Sequence, residues 1–296
     1  MTSSIAIILL VLKISIILSV FAIGLKASFA DATYLFRRPR QLLCALLSMN
    51  VLMPLIALGL GLTFNLHPAV KIALVVIAVS PIPPILPRKE LKAGGKAEYT
   101  IGLLVSISVL SIIVIPISME VIERIVNIPL SMRARSVALM VLTTILLPLF
   151  AGILVRTIAS TFANRLAKPI AIVGAVLLVL SALPILIGMF RTVLSLIGDG
   201  TVLSLGVFAL AGFVIGHLLG GPESNNRPLL ALATASRHPA VALAIAHTNF
   251  PQEKLAAPAV FMYLIISGIL SALYLKWVKR EHSAGTPSNT KKFVQA

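Results

Sequence analysis

Apolar residues fill this chain in long runs, and the polar positions gather between them. A run of about 20 apolar residues, wound as a helix, crosses about 30 Å of hydrocarbon. Nine such runs are predicted: about Ser4–Leu25, Gln41–Thr63, Ala69–Gly94, Ala97–Ile117, Val137–Arg156, Pro169–Phe190, Thr201–Gly220, Arg227–His247 and Ala257–Trp277. The third is interrupted at Ser80-Pro81-Ile82-Pro83-Pro84 and the eighth at Arg237-His238-Pro239. Between the fourth and fifth, Ser118–Ser136 carries Glu120, Glu123, Arg124, Arg133 and Arg135. It reads as an amphipathic helix lying along the interface or as an exposed loop. Residues 281–296 read as a polar, disordered tail.

Composition sharpens this pattern. The chain is 58% hydrophobic and 11% charged, with mean hydropathy +1.05. Soluble domains are nearer half apolar and a quarter charged, so lipid is the expected solvent. The expected class is an all-α integral membrane protein, with residues 1–280 forming one polytopic domain. The first run lacks a basic leader and a small-residue cleavage site, so it is expected to be a retained helix.

The formal charge of +16 fits topology better than nucleic acid, because aromatics are only 6% and no basic stripe contains them. With the N-terminus outside, 17 of the 25 Lys and Arg fall on the inner side and 6 on the outer. Lys and Arg favour the cytoplasmic side, which predicts a protein of the cell (inner) membrane with its C-terminus in the cytoplasm. Cys44 is the single cysteine; it has no disulfide or metal-ligand partner.

The two interruptions carry the functional signal. Proline removes a backbone donor and clashes with the preceding turn. Pro81, Pro83 and Pro84 together cannot continue a regular helix. Irregular backbone at membrane depth survives only inside protein or beside a wet cavity. Paired interrupted spans in corresponding positions of two halves point to a transporter's midplane site, where half-helix N-termini suit anions. The substrate-binding residues expected on this basis are Ser80, Pro81, Pro83, Pro84, Arg237, His238, Pro239 and Asn50.

Arg237 is costly at mid-membrane and needs a cavity or a partner. A substrate anion, Glu98 or Glu90 would each serve, and Glu98, Glu90 and Arg237 are the expected coupling or gating residues. His238 suits either a proton relay near neutral pH or a hydrogen-bonded core position. Asn50 suits interhelical bonding as well as a ligand. Lys13 suits snorkelling or a packed interior. No metalloprotease helix, nucleophile elbow or phosphate loop occurs. No enzyme activity, cofactor or metal is expected.

Read in order, several short motifs resemble the bile acid:sodium symporter family over about Ile14–Leu275. They are Phe21-Ala22-Ile23-Gly24-Leu25, Met53-Pro54, Ser80-Pro81, Leu147-Pro148 with Gly152, Gly216-His217-Leu218-Leu219-Gly220 and Ala240-Val241-Ala242-Leu243-Ala244. The resemblance implies inverted repeats, two discontinuous crossing helices, and core and panel domains. On this plan residues 1–117 are a first repeat lacking one helix, and 137–280 the second. The chain departs from the family where sodium ligands belong. The family's glutamate and glutamine correspond to Ala233 and Arg237, and the asparagine after them to His238. Its serine and asparagine after the first crossover correspond to Leu86 and Pro87. Two hydroxyl ligands correspond to Thr100 and Leu104, and a further glutamine to Met49. Sodium is a hard ion that needs oxygen ligands.

The expected function is therefore sodium-independent secondary transport of a small organic anion by alternating access. Arg237 would replace the ion in holding the crossover, or bind the anion, with protons or nothing as the coupled species. A transporter-like ligand sensor or channel is the alternative. The arsenite exporters related to this family use a cysteine at the first crossover, which is absent here. The expected partners are the small organic anion and the lipid bilayer; nothing in the residues specifies an oligomeric state.

Overall fold

The computed structural model describes residues 2–84, 86, 96–126, 133–223 and 225–284, with the side chains of 2–6, 9 and 281–284 excepted. The fold is helical, and no strand occurs among the described residues. Besides the short helical turns Phe29–Ala32 and Leu35–Arg37, the helices are α1 Thr2–Gly24, α2 Pro39–Thr63, α3 Pro68–Val79, α4 Ala97–Val126, α5 Ala134–Ile158, α6 Ser160–Ser195, α7 Thr201–Leu219, α8 Asn226–Ala235, α9 Pro239–Asn249 and α10 Ala256–Ala284. Among the described residues, seven spans are long and apolar enough to cross a membrane, with α8 and α9 counted together; Leu10–Gly24 and Pro68–Val79 are shorter apolar helices.

Several boundaries differ from the sequence reading. Helix α4 continues past Ile117 to Val126, so Ser118–Val126 is part of a single long rod and not a separate interfacial element. Pro116 sits inside it; one missing N–H is tolerated where the remaining turns stay paired. Helix α6 likewise contains Pro169 and Pro184 and extends on both sides of the expected span. Helix α10 runs on to Ala284. The remainder of the expected tail, and the continuation expected after the first interruption, lie outside the described residues.

Two long helices contain a wide π-type turn. In α2 it spans Leu47–Leu52, just before Met53-Pro54. In α5 it spans Leu142–Leu146, just before Leu147-Pro148. Such turns leave carbonyls without their usual helical partners.

Packing divides the helices into two sets. Helix α1 lies against α6 and the second half of α5. Small residues let these backbones approach: a Cβ on Gly152 would come within 2.5 Å of the Phe21 carbonyl oxygen. In the second set, α3, α9 and α10 pack together, and α7 runs tightly along α8. Gly212, Gly216 and Gly220 form a seam on α7; a Cβ at Gly216 would sit 2.5 Å from the Ala231 Cα. Close small-residue contacts of this kind hold helices together where lipid removes the hydrophobic drive. The interrupted pair α8–α9 is the most enclosed span and α6 the least. The exposed face of α6 carries Ile172, Val173, Val176, Leu180, Leu183 and Ile187, as a lipid-facing helix should.

Candidate functional site

The two interruptions meet in space. Helix α3 ends at Ser80, whose backbone turns extended, and Pro81, Ile82, Pro83 and Pro84 follow as a buried, non-helical segment. Helix α8 ends at Ser236, and α9 restarts at Pro239 with His238 as its N-cap residue. The His238 backbone N–H donates to the Pro81 carbonyl at 2.8 Å. Ser80, Pro81, Pro83, Pro84, Arg237, His238 and Pro239 are thus brought together.

Arg237 is 1% exposed and ties the crossing. Its Nη1 donates to the Ser80 carbonyl at 3.0 Å and its Nη2 to the Met49 carbonyl at 2.8 Å. Both acceptors are carbonyls that the helices cannot satisfy. Ser80 stands at the end of α3, where the last carbonyls lack partners. Met49 lies in the π-type turn, and the residue five positions on is Pro54, which has no N–H. A guanidinium suits this task because its planar fork presents donors in two directions. Among the described residues, no carboxylate pairs with Arg237. The end of α8 is treated differently: the Ala235 carbonyl accepts from Tyr263 Oη at 2.6 Å and from Ser267 Oγ at 2.8 Å.

A cavity of about 500 Å³ opens between α1, α6 and the second crossing. Pro83, Pro84, His238 and Pro239 line it from one side, and Leu12, Ile16, Ser19 and Leu178 from the other. The wall is almost wholly apolar, with two polar exceptions. His238 is 2% exposed, and neither ring nitrogen has a partner. The Ser19 hydroxyl is equally enclosed and also unpartnered. Buried polar atoms without partners are costly; the hydroxyls of Thr100, Ser106 and Ser108 share this state away from the cavity. A smaller cavity of about 200 Å³ reaches Arg237, Ser236 and Ser267.

The other expected site residues lie elsewhere. Asn50 lines a separate groove of about 390 Å³ between α2 and α4, with Leu46, Pro54, Val114 and Ile117. Glu98 stands exposed in the first turn of α4. Glu90 and Pro87 lie outside the described residues. Lys13 is exposed on α1. Met49, Leu86, Leu104 and Ala233 share one buried apolar cluster beside the crossing. Thr100 is buried there too, on the same helix as Leu104, with its hydroxyl unpartnered.

Two polar groupings escaped the sequence reading. Glu223, in the turn before α8, accepts from Lys96 Nζ at 2.9 Å and from Arg38 Nη1 at 3.5 Å. The hydrogen bond from Lys96, with its charge, holds the Glu223 carboxyl below its usual value, against a partial burial that pulls upward. The same bond and charge raise the Lys96 ammonium. His217 Nδ1 lies 2.7 Å from Tyr274 Oη, among the rings of Phe213 and Trp277. Both join residues far apart in the chain, and no local pattern announces them.

The profile of the sodium bile acid symporter family matches residues 13–198. The chain belongs to this family. The match covers the first interrupted span and ends before Arg237, so the arginine lies beyond the matched residues. Among curated proteins, none matches. Membership makes the chain a membrane transporter of the sodium bile acid symporter type.

Proposed function

We propose that this protein is a secondary carrier of a small organic anion that works without sodium. The observation behind the proposal is the double hydrogen bond from Arg237 to the Ser80 and Met49 carbonyls. The guanidinium is a fixed cation at the crossing, where the family resemblance sets oxygen ligands for a mobile one. Met49, Leu86, Leu104 and Ala233 stand at ligand positions and offer no side-chain oxygen. Replacing the ion with a tethered positive charge keeps the two broken spans pinned and removes any need for sodium.

The anion is received in the cavity beside His238 and Ser19, near the positive N-terminal end of α9. Alternating access then follows from the two packing sets. On this reading α1, α6 and the second half of α5 form a panel, and α3 with α7–α10 forms a core carrying both crossings. The cavity lies between the sets, as a site exposed by their relative rocking should. The same reading takes nine spans, with residues 1–117 and 137–280 as inverted repeats. It sets the N-terminus outside and the C-terminus in the cytoplasm of the inner membrane.

The test is uptake of three permanently charged probes into liposomes containing the full chain: octanesulfonate, naphthalene-2-sulfonate and taurocholate. At least one is expected to enter faster than into empty liposomes, at the same rate in sodium and in potassium. A strict sodium requirement refutes the role given to Arg237. Tight binding without any uptake would favour a ligand sensor.

A further inference from the structure

Among the described residues one titratable side chain lines the cavity, and none beside it offers a place for a proton's charge. Resting on the carrier reading above, we propose that His238 carries the coupling ion: the protein moves each anion together with one proton held on the His238 ring.

The geometry isolates the ring. The backbone of His238 is fixed at both ends, with its N–H on the Pro81 carbonyl and its own carbonyl accepting from the Ala242 N–H. The ring therefore stays at the cavity wall, almost fully enclosed, with two nitrogens unpartnered. A neutral imidazole can take a proton on its free nitrogen. Once charged, it needs an anion, and the described residues of the packed elements supply none. From α10, Tyr263 gives its hydroxyl to the Ala235 carbonyl. Arg237, next in the chain, is itself a cation bound to two carbonyls. On α1 the titratable group is Lys13, which faces outward; on α6, Arg165, Lys168 and Arg191 are all exposed or partly exposed. Lys71, near the start of α3, His247, at the far end of α9, and Tyr274, Lys276, Lys279 and Arg280, beyond the cavity in the second half of α10, add no carboxylate. No carboxylate from α1, α3, α6, α9 or α10 lines the cavity among the described residues.

Each partner is therefore unfavourable alone. A bare imidazolium in this apolar wall is as costly as a bare anion. Together they form a hydrogen-bonded pair. By linkage, proton uptake tightens anion binding and anion binding tightens proton uptake by the same factor. A loaded core then carries one proton and one anion, and an unloaded core neither. The proton joins a ring nitrogen from water on one side and returns to water on the other, with no other bond changed. For a monovalent anion the cycle is electroneutral.

Proteoliposomes holding the full chain and a trapped pH-sensitive dye test this with the same three sulfonates. These strong acids cannot ferry protons through lipid themselves. The expected result is acidification of the interior, one proton per anion, with accumulation rising about tenfold for each unit of inward pH gradient. A membrane potential set with potassium and valinomycin leaves the rate unchanged. His238→Asn and His238→Gln, checked for folding by their melting temperatures, lose both the proton flux and the pH-driven accumulation. Flux and stoichiometry in the native chain need no variant, so a misfolded variant leaves the test intact. Anion uptake without proton movement, or uptake driven by membrane potential, overturns the coupling but keeps the carrier. Failure of all three probes to enter under any gradient rejects the carrier reading and this inference with it.

Discussion

Helix α3 ends by giving its Ser80 carbonyl to a guanidinium, whereas α8 ends by giving its Ala235 carbonyl to two hydroxyls. The local problem is the same in both: a helix stopped inside the membrane leaves carbonyls unpaired. The surroundings differ. Three of the residues after Ser80 are prolines, which accept but do not donate, so the first crossing is short of donors. The second crossing supplies them, through Arg237 and the His238 N–H. The two broken spans are thus complementary: one is rich in acceptors and the other in donors. That asymmetry lets a single side chain lock both.

The sharpest way to break this comparison is Arg237→Ala. It strands two buried carbonyls, each worth about 1–3 kcal/mol when left unpaired. A loss of about 3 kcal/mol or more is expected in detergent unfolding, with Arg237→Lys intermediate because a point charge cannot fork. Equal stability of the native chain and Arg237→Ala would remove the lock.

At the hydroxyl-capped end the expected effects are smaller. Tyr263→Phe or Ser267→Ala leaves one donor on Ala235, costing about 1 kcal/mol each. The double variant leaves that carbonyl bare and should cost more than the sum. Simple additivity would show that the two hydroxyls do not share the task.

The smallest effect belongs outside the membrane, where Glu223 joins the turn before α8 to Lys96 and Arg38. Its carboxyl is held below the usual value, so its contribution is full at neutral pH and fades as pH falls through that lowered value. The raised Lys96 ammonium contributes below its ordinary value and loses the tie only at strongly alkaline pH. Melting curves from pH 3 to 7 should show a slight acid loss in the native chain that Glu223→Gln lacks. Identical acid profiles would discount the tie.

The breaks at Ser80–Pro84 and Arg237–Pro239 were legible because proline breaks a helix by local chemistry, and local chemistry is written in neighbouring letters; their crossing was expected only from the family resemblance. Arg237's partners were not legible. Ser80 and Met49 lie 157 and 188 positions away, and each acts through its backbone, which every residue has. Asn50 shows the complementary failure. It follows Met49 directly, but a helix turns about 100° per residue, so its side chain faces the α2–α4 groove. Glu98 is close to the first break in number only, for the start of α4 leaves it exposed. The membrane class needed no such geometry; long apolar runs specify it alone. The lengths of α4 and α6 were misjudged because the runs were cut to about 20 apolar residues, whereas the helices continue through the charged stretches at Glu120–Arg124 and Arg165–Lys168.

The widened turn at Leu47–Leu52 also sets how α2 is phased. A turn of that kind accommodates one residue more than regular winding does, so the stretch before it and the stretch after it are offset by about 100°. Deleting a single residue there would rewind the rod and swing the segment bearing Cys44 around its axis. One residue of chain length thereby separates a helix that faces two neighbours correctly from one that can face only one of them.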